Sequence, residues 1–156
     1  MDKWIFSLKL RNSAGVLSAL TALFADRGVS IESLTAHGGM GTAGGHGTAV
    51  LIFAASEARK THLARLLGRL ASVLEVTEYR YGDAHSARKS VLARVSLPEG
   101  ALTARLPPGV LCDIVSADDG HTAALLLGPP LVLDTLLTQL AADGAVEEMD
   151  SAVTLV

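Results

Sequence analysis

Residues Trp4–His37 read WIFSLKLRNSAGVLSALTALFADRGVSIESLTAH. Trp4, Phe6, Leu8 and Leu10 alternate with Ile5, Ser7, Lys9 and Arg11, the period-two pattern of a strand with one face on a core. Asn12 and Ser13 are residue types favoured at a helix N-cap. Val16, Leu17, Leu20, Leu23 and Phe24 then recur at helical spacing, and Arg27-Gly28 suits a C-terminal cap. Val29 to His37 reads as a second strand. Strand, helix and strand in this order are the first half of a split βαββαβ unit.

Working outward, Gly38 to Gly47 is a glycine-rich turn or loop, and Thr48 to Phe53 is rich in β-formers, so the second and third strands form a hairpin. Ser56 caps a helix with Leu63, Leu66, Leu67 and Leu70 inward and Arg59, Lys60, Arg65 and Arg69 in water. Val73 to Tyr79 closes the first unit as a strand. The polar run RYGDAHSAR, Arg80–Arg88, reads as an interdomain connection. Beyond it, Val91, Ala93, Val95 and Leu97 alternate as a new first strand. Pro98 and Pro107 leave room between them for only a short helix. Val110–Ala117 and Thr122–Leu127 flank an Asp118-Asp119-Gly120 turn. A helix from Pro130 to Gly144 places Leu133, Leu136, Leu137 and Leu140 on one face, and Ala145–Val156 is the last strand. The fold expected is α+β: two tandem ferredoxin-like βαββαβ domains, 1–80 and 89–156, joined by a linker at 81–88.

Composition narrows the function. A chain of 156 residues, 49% hydrophobic and 19% charged, buries a sizeable core without staples. One cysteine, Cys112, excludes a disulfide framework or a cysteine-based zinc finger. Thirteen Lys and Arg against sixteen Asp and Glu leave a formal charge of −3, which argues against nucleic acid as partner. The longest apolar stretch, Ala123 to Leu133, is broken by Pro129 and Pro130 and is shorter than the ~20 residues a membrane span needs. The MDKWIFSLKL start lacks the apolar core of a signal peptide, so a cytoplasmic protein is expected.

Few residues point to chemistry. Gly39–Gly44 fits G-x-G-x-x-G letter for letter, but that fingerprint needs a helix after the glycines, and here a strand is expected. The histidines His37, His46, His62, His85 and His121 lack metal-ligand spacing, although His37 and His46 are placed to face each other across the hairpin. Cys112, beside Leu111 in an apolar strand, reads as a small buried hydrophobe. No nucleophile and base, or paired carboxylates, stand at a favourable spacing, so catalytic residues are none and no metal is expected. What remains is the turn Asn12-Ser13-Ala14-Gly15. A capped helix start accounts for each of its residues. Equally, free N–H groups at a helix N-terminus favour a carboxylate, Asn12 offers a donor and an acceptor, and Gly15 lets backbone approach closely.

Asn12, Gly15, Leu23-Phe24, Arg27-Gly28 and Ile31-Glu32-Ser33-Leu34 form an N-x-x-G turn, an L-F-x-x-R-G helix end and an I-E-S-L strand. In this order they resemble the ACT domain that opens the small, regulatory subunit of acetolactate synthase (acetohydroxyacid synthase). Total length, the strand VLEVTEY and a second ferredoxin-like domain also resemble that family.

The resemblance implies a non-catalytic chain. It would activate a thiamine-diphosphate-dependent catalytic subunit and mediate feedback by valine or another branched-chain amino acid in branched-chain amino-acid biosynthesis. Thiamine diphosphate, Mg and FAD would belong to that partner, with no cofactor in this chain. It implies a homodimer through the ACT domains, with a small amino-acid effector between the turn of one protomer and the second strand of its neighbour. Carried over, the ligand-binding residues are Asn12, Ala14, Gly15 and Val16 on the turn and Ser30 and Ile31 on the facing strand. Amides from Ala14 to Val16 would hold the carboxylate and Ile31 would line the apolar pocket. The chain departs from the pattern at Ser30, where the family has Asn, in its glycine-rich loop, and in the short first helix of its second half. A divergent chain that activates without feedback, and a free-standing ACT-type amino-acid sensor without an enzyme partner, are the alternatives.

Overall fold

The computed structural model describes residues 1–39, 45–83 and 85–155. The chain divides into two compact units, Met1–Ala84 and His85–Val156. Both are ferredoxin-like βαββαβ folds, each with a four-stranded antiparallel sheet.

In the first unit β1 (Asp2–Arg11), α1 (Val16–Asp26), β2 (Ile31–His37), β3 (His46–Ala55), α2 (Glu57–Leu67) and β4 (Val73–Arg80) follow in order. The sheet order β2-β3-β1-β4 leaves β2 and β4 as edges. Leu20 and Phe24 of α1 and Leu63 and Leu67 of α2 bury against Phe6, Leu8, Leu51 and Phe53 of the central strands. Phe53 takes Phe6 and Phe24 edge-on, with ring centroids 4.8 and 5.0 Å away, an arrangement favoured by the ring quadrupoles. Ser56 caps α2 as expected, its hydroxyl accepting from the Arg59 N–H.

The expected cap of α1 is not observed. β1 runs on through Arg11, Ser13 N–H donates back to the Arg11 carbonyl at 3.0 Å, and the helix starts only at Val16. Its N-cap is therefore Gly15, with φ +82°, and Asn12 and Ser13 stand too early in the turn to cap. Lys60 also departs from its expected place in water. Its side chain is only 12% exposed, with the ammonium 2.7 Å from Glu78 and 4.7 Å from the Trp4 ring centroid.

The second unit repeats the plan with β5 (Ala87–Val95), α3 (Glu99–Thr103), β6 (Leu111–Asp118), β7 (His121–Gly128), α4 (Pro130–Ala142) and β8 (Val146–Leu155). Its sheet order is β6-β7-β5-β8. Ala87 and Arg88, which fall in the interval 81–88 read as a connection, already pair with Leu155 and Thr154 of β8. Asp119 and Gly120, φ +25° and +88°, make the β6–β7 turn. Leu133, Leu136, Leu137 and Leu140 of α4 pack on Val91, Ala93, Val95, Ala124 and Leu126. α3 has only five residues, as its flanking prolines require. Among the described residues no helix is long and apolar enough to cross a membrane.

Candidate functional site

β1 and β2 lie on either side of β3 and run the same way, so Arg11 and His37 end at the same edge of the first sheet. Register confirms it: Arg11 is opposite His46 and His37 is opposite Thr48. The two hairpin histidines thus do not face each other, because the strand pairing sets them two positions apart. Among the described residues no group of histidines, cysteine and carboxylates could hold a metal ion. Met40 to Gly44 of the G-x-G-x-x-G run lie outside the described residues; the chain resumes into strand β3 rather than a helix.

At this edge the β1–α1 turn and the end of β2 enclose a cavity of about 310 Å³. Leu10 and Val16, both buried, supply its apolar part. Arg11, Asn12, Ser13 and Ser18 line one side; Ala36, His37, Gly38 and Thr48 line the other. The cavity also meets the start of α1. The first intrahelical bond there is Ala19 N–H to the Gly15 carbonyl, 3.0 Å, which leaves the N–H groups of Val16, Leu17 and Ser18 without helical partners. No side chain caps this end and no acidic residue occupies the first turn. A helix terminus of this kind carries partial positive charge. Arg11 adds a formal one at the rim.

Of the six expected site residues, Asn12, Gly15 and Val16 line this cavity. Ala14 sits in the same turn but not among the lining residues. Ser30 and Ile31 lie elsewhere in the protomer: Ile31 is opposite Phe53, at the start of β2, and His37 at its end. At ~3.3 Å per residue the two are about 20 Å apart. β2 is an edge strand with a bulge between Ile31 and Ser33, where Glu32 reaches the Lys3 ammonium at 2.7 Å. Arg11 and His37 were not legible as site residues. Arg11 closes an amphipathic strand and His37 a hairpin arm, and only the strand order sets them at one cavity.

The remaining chemistry-bearing residue, Cys112, is half-buried, packing on the core of the second unit while its neighbour Leu111 is 68% exposed. Burial pushes its thiol above the ordinary value, with Asp113 and Glu99 adding to the effect. That is the opposite of what an activated nucleophile needs.

No protein-family model matches the chain, and no curated protein sequence matches it. Among solved structures, the acetolactate synthase small subunit from Thermotoga maritima is similar over 100% of this chain and 98% of its own, with a TM-score of 0.74 and 18% identity. The regulatory subunit of aspartate kinase from Thermus thermophilus is more distant, covering 89% of this chain and 92% of its own at a TM-score of 0.45 and 10% identity. At such identities the likeness to the Thermotoga maritima chain is one of fold: the same two tandem ferredoxin-like domains along the whole length.

Proposed function

We propose that the chain is a non-catalytic regulatory subunit of acetolactate synthase. In this reading it activates a thiamine-diphosphate-dependent catalytic subunit and couples that activity to a branched-chain amino acid such as valine. Thiamine diphosphate, magnesium and FAD reside in the catalytic partner. The observation that supports it best is the uncapped N-terminus of α1 opening beside Asn12 into a cavity with an apolar floor. Free N–H groups and a helix dipole suit a carboxylate, Asn12 suits a polar end, and Leu10 and Val16 suit an aliphatic side chain. The full-length fold likeness to the Thermotoga maritima small subunit supports the same assignment.

In this reading two protomers pair through their β2 edges, which bring the neighbour's Ser30 and Ile31 to the turn of the first. The bare edge and the bulge at Ile31 are consistent with that contact. Ser30 is shorter than the asparagine of the resembling pattern and reaches a ligand through water. Coupling between effector and catalytic subunit is expected at about 1–3 kcal/mol.

Calorimetric titration with valine, leucine and isoleucine, alongside the oligomeric state, tests the effector site. Millimolar or tighter binding at about one ligand per protomer is expected. A dimer that binds none of them leaves activation without feedback. Activation is tested by mixing with an acetolactate synthase catalytic subunit: this chain alone is inactive, turnover rises on mixing, and an unchanged turnover overturns the assignment.

A further inference from the structure

Lysine and arginine are unevenly placed on the helices. α1, α3 and α4 contain neither, whereas α2 and the turn that ends it, Glu57–Arg69, hold four of the chain's thirteen and only one of its sixteen acids, Glu57. Arg59, His62, Arg65 and Arg69 follow at intervals of three, three and four, so they make one stripe about 15 Å long. All four are exposed. Like charges at these spacings oppose one another on a helix, and among the described residues none of the three arginines has an ion pair. Lys60, by contrast, is held by Glu78 at 2.7 Å. Nothing within the first unit therefore offsets the charge of the stripe. Beside it, α2 and the edge strand β4 bound a groove of about 400 Å³, lined by Arg65 and Ala64 on the helix and by Leu74, Glu75 and Val76 on the strand. Leu74 is 39% exposed there.

We propose that this stripe and groove receive an acidic surface patch of the catalytic subunit. The inference rests on the function proposed above and adds the face through which the two subunits meet. Carboxylates of the partner neutralise Arg59, Arg65 and Arg69, and arginine forks favour carboxylates in paired geometry. Leu74 and Val76 supply the apolar contact that charge alone does not. A nucleic acid fits less well, because outside Glu57–Arg69 acids outnumber Lys and Arg fifteen to nine and repel a polyanion at range. A lipid surface fits less well too. Ala58 and Thr61 share the wet side of α2 with His62 and Arg65, and a helix that lies in a membrane needs large apolar residues there. The sheet order sets β4 and β2 at opposite edges, and no residue of the groove lines the cavity at the start of α1. Docking here leaves both the β2 edge and the effector site free.

The test is surface plasmon resonance of the full chain against the acetolactate synthase catalytic subunit of the same organism, at low and at physiological salt, with turnover measured on the same mixtures. Arg65→Glu is compared with Arg27→Glu, which changes the net charge equally at an exposed position after α1. Arg65→Glu is expected to weaken binding about tenfold, mainly through a slower association rate, and to flatten its salt dependence. Arg27→Glu is expected to bind as the wild type does. Arg65→Gln is expected to fall between, and circular dichroism and the urea midpoint confirm that each variant is folded. A wild type that binds and activates while Arg65→Glu does so equally well overturns this docking face and leaves the proposed function standing. Equal weakening by Arg27→Glu overturns it as well, since net charge alone then sets the affinity. Binding of the wild type to duplex DNA or to phosphatidylglycerol vesicles that Arg65→Glu abolishes, with the catalytic subunit bound as before, assigns the stripe to a polyanion and overturns it. A wild type that binds no catalytic subunit overturns the proposed function and the docking face together.

Discussion

Gly38 stands against Asn12 across the mouth of the cavity: the Cβ position of Gly38 lies 4.0 Å from Asn12 Nδ2. The contact exists because β2 ends where the β1–α1 turn begins, and it sets the width of the opening above the start of α1.

Asn12 is exposed, and no hydrogen bond to its side chain is present among the described residues. Asn12→Ala is therefore expected to change stability by no more than about 0.5 kcal/mol in urea. Loss of one hydrogen bond to a charged ligand, about 1.5 kcal/mol, lowers effector affinity roughly tenfold. Calorimetry that finds unchanged affinity in the folded variant removes Asn12 from the site.

Gly15→Asp separates the fold from the site. Nothing lies within 4 Å of a Cβ at Gly15, so the folding cost is the left-handed backbone alone, φ +82°, about 1–2 kcal/mol. A carboxylate at a helix N-terminus offsets ~0.3–1 kcal/mol of this. The same carboxylate occupies and repels where the ligand's carboxylate is proposed to sit. Near-native unfolding with effector response lost is the expected outcome; retained response shows that the ligand binds elsewhere.

A packing prediction concerns Gly47 on the far wall. A Cβ there would stand 3.0 Å from the His37 carbonyl oxygen and 3.9 Å from Leu10 Cβ, so β2 and β3 must separate locally. Gly47→Ala is expected to cost about 1–3 kcal/mol, read as a lowered urea midpoint at unchanged slope.

Thr122 is fully buried and its hydroxyl donates to the Leu97 carbonyl at 2.7 Å. Thr122→Val keeps the shape and leaves that carbonyl without its donor, so a loss of about 1–3 kcal/mol is expected. Thr122→Ser, which keeps the donor, is expected to lose less of it. A larger loss in Thr122→Ser than in Thr122→Val would assign the cost to the methyl group instead of the hydrogen bond.

Cys112 makes stability pH-dependent at the alkaline end. Its thiol is raised above 9.0 in the folded chain by burial first, then by Asp113 and Glu99. The native state thus holds the proton more tightly than the unfolded one. The contribution is fully present below the unfolded value and is lost as pH rises through the folded one. Cys112→Ala is expected to flatten the fall in stability above pH 9. Alkylation at pH 8 is expected to run slower than for an unstructured cysteine peptide.

Much of the fold is local and was legible. The heptad-like leucines from Leu133 to Leu140, the Asp119-Gly120 turn and the Ser56 cap each depend on residues a few positions apart. The cap of α1 was not, because Asn12 and Ser13 are good capping types placed before a helix that cannot start until β1 has completed its pairing through Arg11. Lys60 was misplaced for a related reason. Its spacing puts it on the wet side of α2, and only the return of β4 beside β1 brings Glu78 and the Trp4 ring beneath it.

Periodicity and turn chemistry by themselves determined the element types, their order and the doubled βαββαβ plan, since these follow from backbone preferences and side-chain spacing within each segment. Which ends meet, and which face stays bare, was decided only in three dimensions. Arg11 and His37 share a cavity because β3 inserts between their strands. Leu92 and Leu125 remain exposed because the helices of the second unit cover only one side of its sheet, and a period-two pattern records two faces without saying which of them a neighbour will cover.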